Sequence, residues 1–277
     1  MLRRAIPSTG EELPVIGLGT WQGFDIGTDA TDRASRQSVL QTLFDAGGTV
    51  VDASPMYGRA EGVTGDLLAK MSARENTFIA TKVWTSGREA GIAEMERSFA
   101  LFKTDVIDLM QVHNLVDLKT QLKTMRAWKD EGRLRYLGIT HYTESAIASV
   151  IDALQQNPVD FLQMVYSPAE PEAANRLLPF CQDNGIAFIV NKPLGGRGVI
   201  SRLQNKPLPG WAAELGISSW AQYFLKFIIA HPAVTCAIPG TGNSWNMADN
   251  LVAGLTPLPD EKQQAEMLRY LRDLQRD

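Results

Sequence analysis

The stretch VVDASPMYG (residues 50–58) begins as a β-branched apolar run and then turns polar, with Asp52 at the end of the run and Tyr57 just beyond it. Two later stretches repeat the form. TFIATKVW (77–84) carries Lys82 at its end, and VIDLMQVHN (106–114) carries His113. Polar groups placed where successive strands stop converge on one mouth if those strands are parallel neighbours, which is the geometry of an active site at the carboxyl face of a barrel.

The rest of the chain extends the pattern. Further apolar runs lie at PVIGLG (14–19), RYLGIT (135–140), FLQMVYS (161–167), AFIVNKP (187–193) and TCAIPG (235–240), making eight candidate strands. Most are continuously apolar before their last residues, as expected of strands covered on both faces. Helical patterns separate them. Residues 33–48 end at paired glycines, residues 118–133 place Leu118, Leu122 and Met125 at helical spacing before Gly132, and residues 218–232 run from a serine cap to Pro232. Eight strand–helix units predict a (β/α)8 TIM barrel filling residues 1–277 as one domain, rather than an open doubly wound sheet. Residues 2–14, with Ser8-Thr9-Gly10 between extended flanks, predict an N-terminal β-hairpin cap at the bottom of the barrel. The charged amphipathic segment from Asp260 onward predicts a C-terminal extra helix outside it.

The residue types suggest a reaction. Tyrosine, with an ordinary pKa near 10, is a poor proton donor at neutral pH, but a buried ammonium stabilises phenolate. Lys82 supplies that charge and is expected to lower the tyrosine's pKa; Asp52 is its counter-ion, and His113 aims a carbonyl. A proton donor poised over an oxygen that becomes negative calls for something that makes it negative, and hydride arriving at a carbonyl carbon does so.

Composition narrows the classes. The 277 residues are 44% hydrophobic and 21% charged with a formal net charge of -4, so no basic footprint for nucleic acid exists. Cys181 and Cys236 lack the spacing of a zinc or redox motif and read as reduced core thiols. His113, His141 and His231 show no ligand spacing, so no metal is expected. His231, before a proline, reads as structural. No stretch matches a bilayer span, even FLKFIIA containing Lys226, and the start lacks the apolar region of an export signal. The expectation is a monomer in the cytoplasm, or in the periplasm if an upstream leader is missing.

These motifs together resemble the aldo-keto reductases. VVDASPMYG is similar to that family's Asp-x-x-x-x-Tyr-Gly segment, TKVW to its lysine strand and QVHN to its histidine strand; the likeness runs from PVIGLGTW (14–21) to IPGTGNSWNMADN (238–250). The resemblance implies a barrel with the hairpin cap, a catalytic tetrad of Asp52, Tyr57, Lys82 and His113, and reduction of a small aldehyde or ketone by NADPH, with NADH a competitor. It places Trp21, Met56, Trp84 and Asn114 around the substrate. The other tryptophans, Trp128, Trp211, Trp220 and Trp245, read as core.

The sequence offers no Rossmann fingerprint, since Gly17, Gly19 and Gly23 have the wrong spacing. Barrels bind phosphates at the loops after their seventh and eighth strands. Glycine-rich turns stand at both places: Pro193, Leu194 and Gly195 with Arg197, and Gly240, Thr241 and Gly242. The resemblance implies that Thr140, His141 and Gln163 hold the nicotinamide amide, with Thr20, Trp21, Asn246 and Asn250 as further cofactor contacts. Two departures stand out. Asn191 replaces the family's stacking tyrosine, and Gly240 and Asn246 replace the lysine and arginine that often grip the 2′-phosphate, leaving Arg197 and Thr241 as candidates. Two other readings remain open: a cofactor-binding sensor or regulatory barrel with vestigial catalysis, and an aldolase using Lys82 as a Schiff base.

Overall fold

The computed structural model describes residues 1–196, 198–255 and 257–276. Its first element is the hairpin of β1 (Arg3–Ala5) and β2 (Glu12–Pro14), paired antiparallel with Arg4 opposite Leu13. Eight parallel strands follow: β3 (Leu18–Gly19), β4 (Val50–Asp52), β5 (Phe78–Val83), β6 (Ile107–His113), β7 (Leu134–Thr140), β8 (Phe161–Val165), β9 (Ala187–Asn191) and β10 (Val234–Ala237). Each pairs with its sequence neighbour. The parallel bridges Ile16–Ala237 and Gly19–Gly240, with Gly17 N–H donating to the Ala237 carbonyl at 2.9 Å, bring the first strand back to the last. The sequence-predicted barrel, with its hairpin cap, is what the chain forms.

Helices cover the outside: α1 (Ala30–Asp45), α2 (Ala60–Lys70), α3 (Arg88–Phe102), α4 (Leu118–Asp130), α5 (Ile147–Gln156), α6 (Ala173–Asp183), α7 (Val199–Leu203), α8 (Trp220–Ala230), α9 (Ser244–Val252) and α10 (Glu261–Arg276). The predicted serine cap is Ser219, whose hydroxyl accepts from Gln222 N–H at 3.1 Å. His231 follows α8 and its Nδ1 accepts from Ala233 N–H at 3.2 Å. Among the described residues, no helix is long and apolar enough to cross a membrane.

Side chains alternate across a strand, so each barrel strand has an inward and an outward set. The outward set packs against the helices in the larger core. The inward set fills the barrel with Val50, Phe78, Leu109, Tyr136, Phe161 and Ile189, and the hairpin's Ile6 and Leu13 join that cluster from below. Further along four of the strands, the inward positions become polar: Val50 gives way to Asp52, Ala80 to Lys82, Leu109 to Gln111 and then His113, and Phe161 to Gln163. The barrel is therefore an apolar plug with a polar top. Gly138 makes that transition possible on β7, because a Cβ there would lie 3.0 Å from the Gln111 side chain and 3.0 Å from the Phe161 carbonyl.

Both cysteines are buried and free, as read from sequence. The tryptophans divide. Trp128 and Trp220 are buried, but Trp245, read as core, is 84% exposed in the first turn of α9. Its neighbour Met247 takes the inward face of that short helix and leaves the indole on the outside.

Candidate active site

Asp52 ends β4 and Lys82 lies near the end of β5, both essentially excluded from solvent. The Lys82 ammonium donates to Asp52 Oδ1 at 2.7 Å and to the Ala53 carbonyl at 2.6 Å. The other carboxylate oxygen, Oδ2, accepts from Gln163 Nε2 at 2.8 Å and more distantly from Gln111 Nε2 at 3.4 Å. Tyr57, half-buried in the loop between β4 and α2, has the Lys82 ammonium 5.1 Å from its ring centroid. His113 closes β6, with its ring 6.0 Å from that of Trp84. The four predicted tetrad positions all lie at the carboxyl face, on three neighbouring strands and the loop after the first.

Burial pushes the Lys82 pKa down, but the charge of the Asp52 carboxylate, with a lesser push from the neighbouring Tyr57 hydroxyl, outweighs it, so the ammonium is held above the ordinary lysine value. A Schiff base needs the neutral amine, and an inaccessible, charged, doubly hydrogen-bonded lysine is a poor candidate for one. For Tyr57 the structure corrects the sequence expectation. Burial raises its pKa first, Lys82 pulls it back and Asp52 pushes it up again, leaving it above the ordinary value. The phenol is thus firmly protonated at rest, and Lys82 reduces the cost of releasing the proton without making the group acidic. Burial, reinforced by the charges of Lys82 and His141, pushes His113 down to about 3. It is a neutral imidazole with one N–H to offer.

Trp21, Met56 and Trp84 are 49%, 42% and 43% exposed, so they rim the mouth instead of packing in the core. The Trp84 N–H is pinned by Glu94 of α3. Asn114 sits in the left-handed region at φ 52, followed by Leu115 at φ 60, and its Oδ1 is buried without a partner. Such backbone strain collects at functional loops.

The positions expected from the sequence to contact a cofactor fall into two groups. Near the tetrad, Thr140 Oγ1 donates to Gln163 Oε1 at 3.2 Å, and Asn191 Nδ2 donates to the His141 carbonyl at 2.9 Å and reaches Gln163 Oε1 at 3.5 Å. Asn191 Oδ1 is left as a buried acceptor without a partner. His141 Nδ1 accepts from the Tyr142 and Thr143 N–H groups at 3.0 and 3.3 Å, which places the proton of the neutral ring on Nε2. Thr20 is fully buried, its hydroxyl donating to the Asp52 carbonyl at 2.9 Å; it fixes β4 rather than opening to the mouth.

The second group surrounds a cavity of about 540 Å³ between the β9–α8 connection and the β10–α9 turn. Leu194, Gly240, Thr241, Asn246 and Asn250 line it, beside Ser219, read from the sequence only as a helix cap, and residues the sequence did not single out: Ser201, Gln204, Lys206 and Asp249. Pro193, Gly195 and Gly242 do not. A Cβ on Gly195 would pack at 3.2 Å against Ala169, Phe224 and Val199, and one on Gly242 would lie 3.1 Å from the Arg36 guanidinium. These glycines shape the turns by close packing. Arg197 lies outside the described residues. Among those residues, no group of three or more histidine, cysteine, aspartate or glutamate side chains could hold a metal ion.

Gln111 was also missed. It lies on the same inward face as His113, two residues earlier, so strand alternation alone would have found it; the residues around the cavity carry no such signal.

Comparison with known proteins agrees with this geometry. The chain is 28% identical over 248 residues to methylglyoxal reductase YeaE of Escherichia coli, spanning 86% of this chain and 85% of that protein. It is 26% identical over 259 residues to an NADH-specific methylglyoxal reductase of the same organism, spanning 82% and 78%. In structure it resembles an aldo-keto reductase from Klebsiella pneumoniae in complex with NADPH, with a TM-score of 0.80 at 25% identity over 98% of this chain and 96% of the other. The aldo/keto reductase family model matches residues 15–267, and the chain belongs to that family.

Proposed function

We propose that this protein reduces a small aldehyde or ketone to the alcohol with a nicotinamide cofactor, Tyr57 acting as general acid. The observation that carries the reading is the buried Asp52–Lys82 pair set beside the Tyr57 ring. Such a pair is expensive to bury, and its placement under a phenol at a barrel mouth gives it a use.

The residues fit the cofactor. Asn191 Oδ1 is an unpartnered buried acceptor beside Gln163 and His141, suited to a carboxamide N–H, and His141 Nε2–H offers a donor. The cavity wall of Gly240, Thr241, Asn246 and Asn250 has the size and neutral polarity to take the other end of a dinucleotide. When bound, the cofactor supplies hydride to the carbonyl carbon. As charge builds on the substrate oxygen, Tyr57 Oη transfers its proton there; Lys82, kept charged by Asp52, stabilises the phenolate that remains. Neutral His113 donates to the same oxygen and orients it. Gln163 and Gln111 hold the second Asp52 oxygen, so the pair cannot turn away. Trp21, Met56 and Trp84 provide apolar walls and Asn114 a polar one, which suits a carbonyl compound of modest polarity. All the tetrad residues come from one chain, so a monomer suffices.

NADPH is the assigned cofactor, supported by the NADPH complex of the Klebsiella relative. The test is cofactor oxidation by purified protein across a panel of aldehydes and ketones, with NADPH and NADH in parallel. Steady turnover that collapses in Tyr57→Phe is expected. Tight cofactor binding with negligible turnover across the panel would instead identify a regulatory barrel.

A further inference from the structure

We infer that Lys206 reads the 2′-phosphate of NADPH in this protein and thereby sets its preference over NADH; the inference rests on the cofactor reading above. The two dinucleotides differ by one phosphate on the adenosine ribose. Since the reacting ring must lie beside Tyr57, the adenosine end must lie elsewhere, and the 540 Å³ cavity, which none of the tetrad residues lines, is the place for it. Discrimination must then come from the charge of that cavity.

The wall is mostly neutral. Ser201, Gln204, Thr241 and Asn246 offer hydroxyls and amides but no charge. Among the described residues, Asp249 is the one acid of the wall, and its carboxylate is already engaged, accepting from Ser219 Oγ and Gln222 Nε2, both at 2.6 Å. Among the described residues, Lys206 is the cation of the wall. It stands between α7 and α8, where its backbone is fixed at both polar atoms: its N–H donates to the Leu203 carbonyl at 2.8 Å and its carbonyl accepts from Trp220 Nε1 at 3.1 Å. The main chain is held while the exposed side chain keeps the reach of its flexible stem. A phosphate dianion beside an ammonium makes one of the stronger hydrogen bonds available to a protein. The β10–α9 turn, with Gly240 and Asn246, brings no charge of its own.

Binding separates this inference from the reading beneath it. NADPH, NADH and the fragments 2′,5′-ADP and 5′-AMP are titrated calorimetrically into the native protein and into Lys206→Gln, Lys206→Arg and Arg197→Gln at one salt concentration. The expected result is a native preference for NADPH, a loss of roughly 10- to 100-fold for NADPH and 2′,5′-ADP in Lys206→Gln, and near-native affinity for NADH and 5′-AMP. Lys206→Arg should restore most of the loss. Equal losses for phosphorylated and unphosphorylated ligands, a selective loss in Arg197→Gln but not in Lys206→Gln, or a native preference for NADH would each overturn the role of Lys206 while leaving the reductase intact. Failure of both dinucleotides to bind would overturn the cofactor reading and Lys206 with it.

Discussion

The proposed acid side of the barrel mouth and the proposed cofactor side are made from different materials. Asp52, Lys82, His113 and Gln163 sit on ladder strands and are between 0% and 5% exposed, each in contact with another polar group of the mouth or with an aromatic neighbour. The cavity beyond β9 and β10 is walled by turns, a five-residue helix and the ends of α8 and α9, with exposed Lys206 and Gln204 among its members. In the proposed mechanism proton transfer tolerates little error in geometry, and the groups set around the Tyr57 loop are fixed by strand register before any ligand arrives. A dinucleotide brings charge and area of its own and can organise a looser wall. Rigidity is concentrated where the chemistry is least forgiving.

That contrast can be broken most directly at Tyr57. Tyr57→Phe should lower carbonyl reduction by about 10²–10⁴-fold while leaving dinucleotide affinity within a few-fold, because in the proposed mechanism the phenol acts on the reacting oxygen alone. A variant with near-native turnover on a ketone would remove Tyr57 from the acid role.

Lys82→Met should injure both stability and rate. It strands the buried carboxylate of Asp52, which costs about 3–5 kcal/mol, and removes the charge proposed to ease proton release from Tyr57. Chemical denaturation of the variant checks the first effect. An unchanged pH–rate profile would refute the second.

His113 allows a finer test. Its folded pKa of about 3 lies below the ordinary 6.5, so between these values the unfolded chain takes up a proton that the folded one refuses. This contribution to stability is complete above about pH 6.5 and is lost as pH falls toward about 3, at up to roughly 1.4 kcal/mol per pH unit. Denaturation midpoints between pH 7.5 and 5 should therefore fall less steeply in His113→Gln than in the native protein. Parallel slopes would show that the imidazole is not held neutral.

The smallest effect is expected on the cofactor side. Trp245→Ser removes an indole that is 84% exposed and should change stability by less than about 0.5 kcal/mol. A larger loss, measured by thermal unfolding, would mean that α9 is braced more firmly than its exposed first turn suggests.

These differences track what could be read from the chain. The barrel was legible because inward positions alternate along each run and turn polar at its end, so Asp52, Lys82 and His113 announced both a strand and a face. The Asp52–Lys82 pairing followed from charge and burial. The direction of the Tyr57 shift was not legible, because it depends on how much protein surrounds the ring compared with one nearby ammonium. Trp245 was misread for a similar reason: residue type suggests burial, but the face of a short helix that meets the barrel is decided by its packing. Lys206 lies in a loop without motif or period, and only the tertiary fold brings it to the wall that Thr241 and Asn246 also line.

The seam between Ile16 and Ala237 also has a temporal meaning. A chain emerging from the ribosome presents the edge of β3 long before β10 exists to cover it, and the Arg4 side chain must wait as well for the carbonyls of Ile229, His231 and Val234 that it binds. During that interval the incomplete barrel carries open strand edges at both ends of a growing sheet, the kind of surface on which partly made chains stick to one another. The last parallel strand to be made, β10, is thus the one that covers the open edge of β3 and closes the sheet.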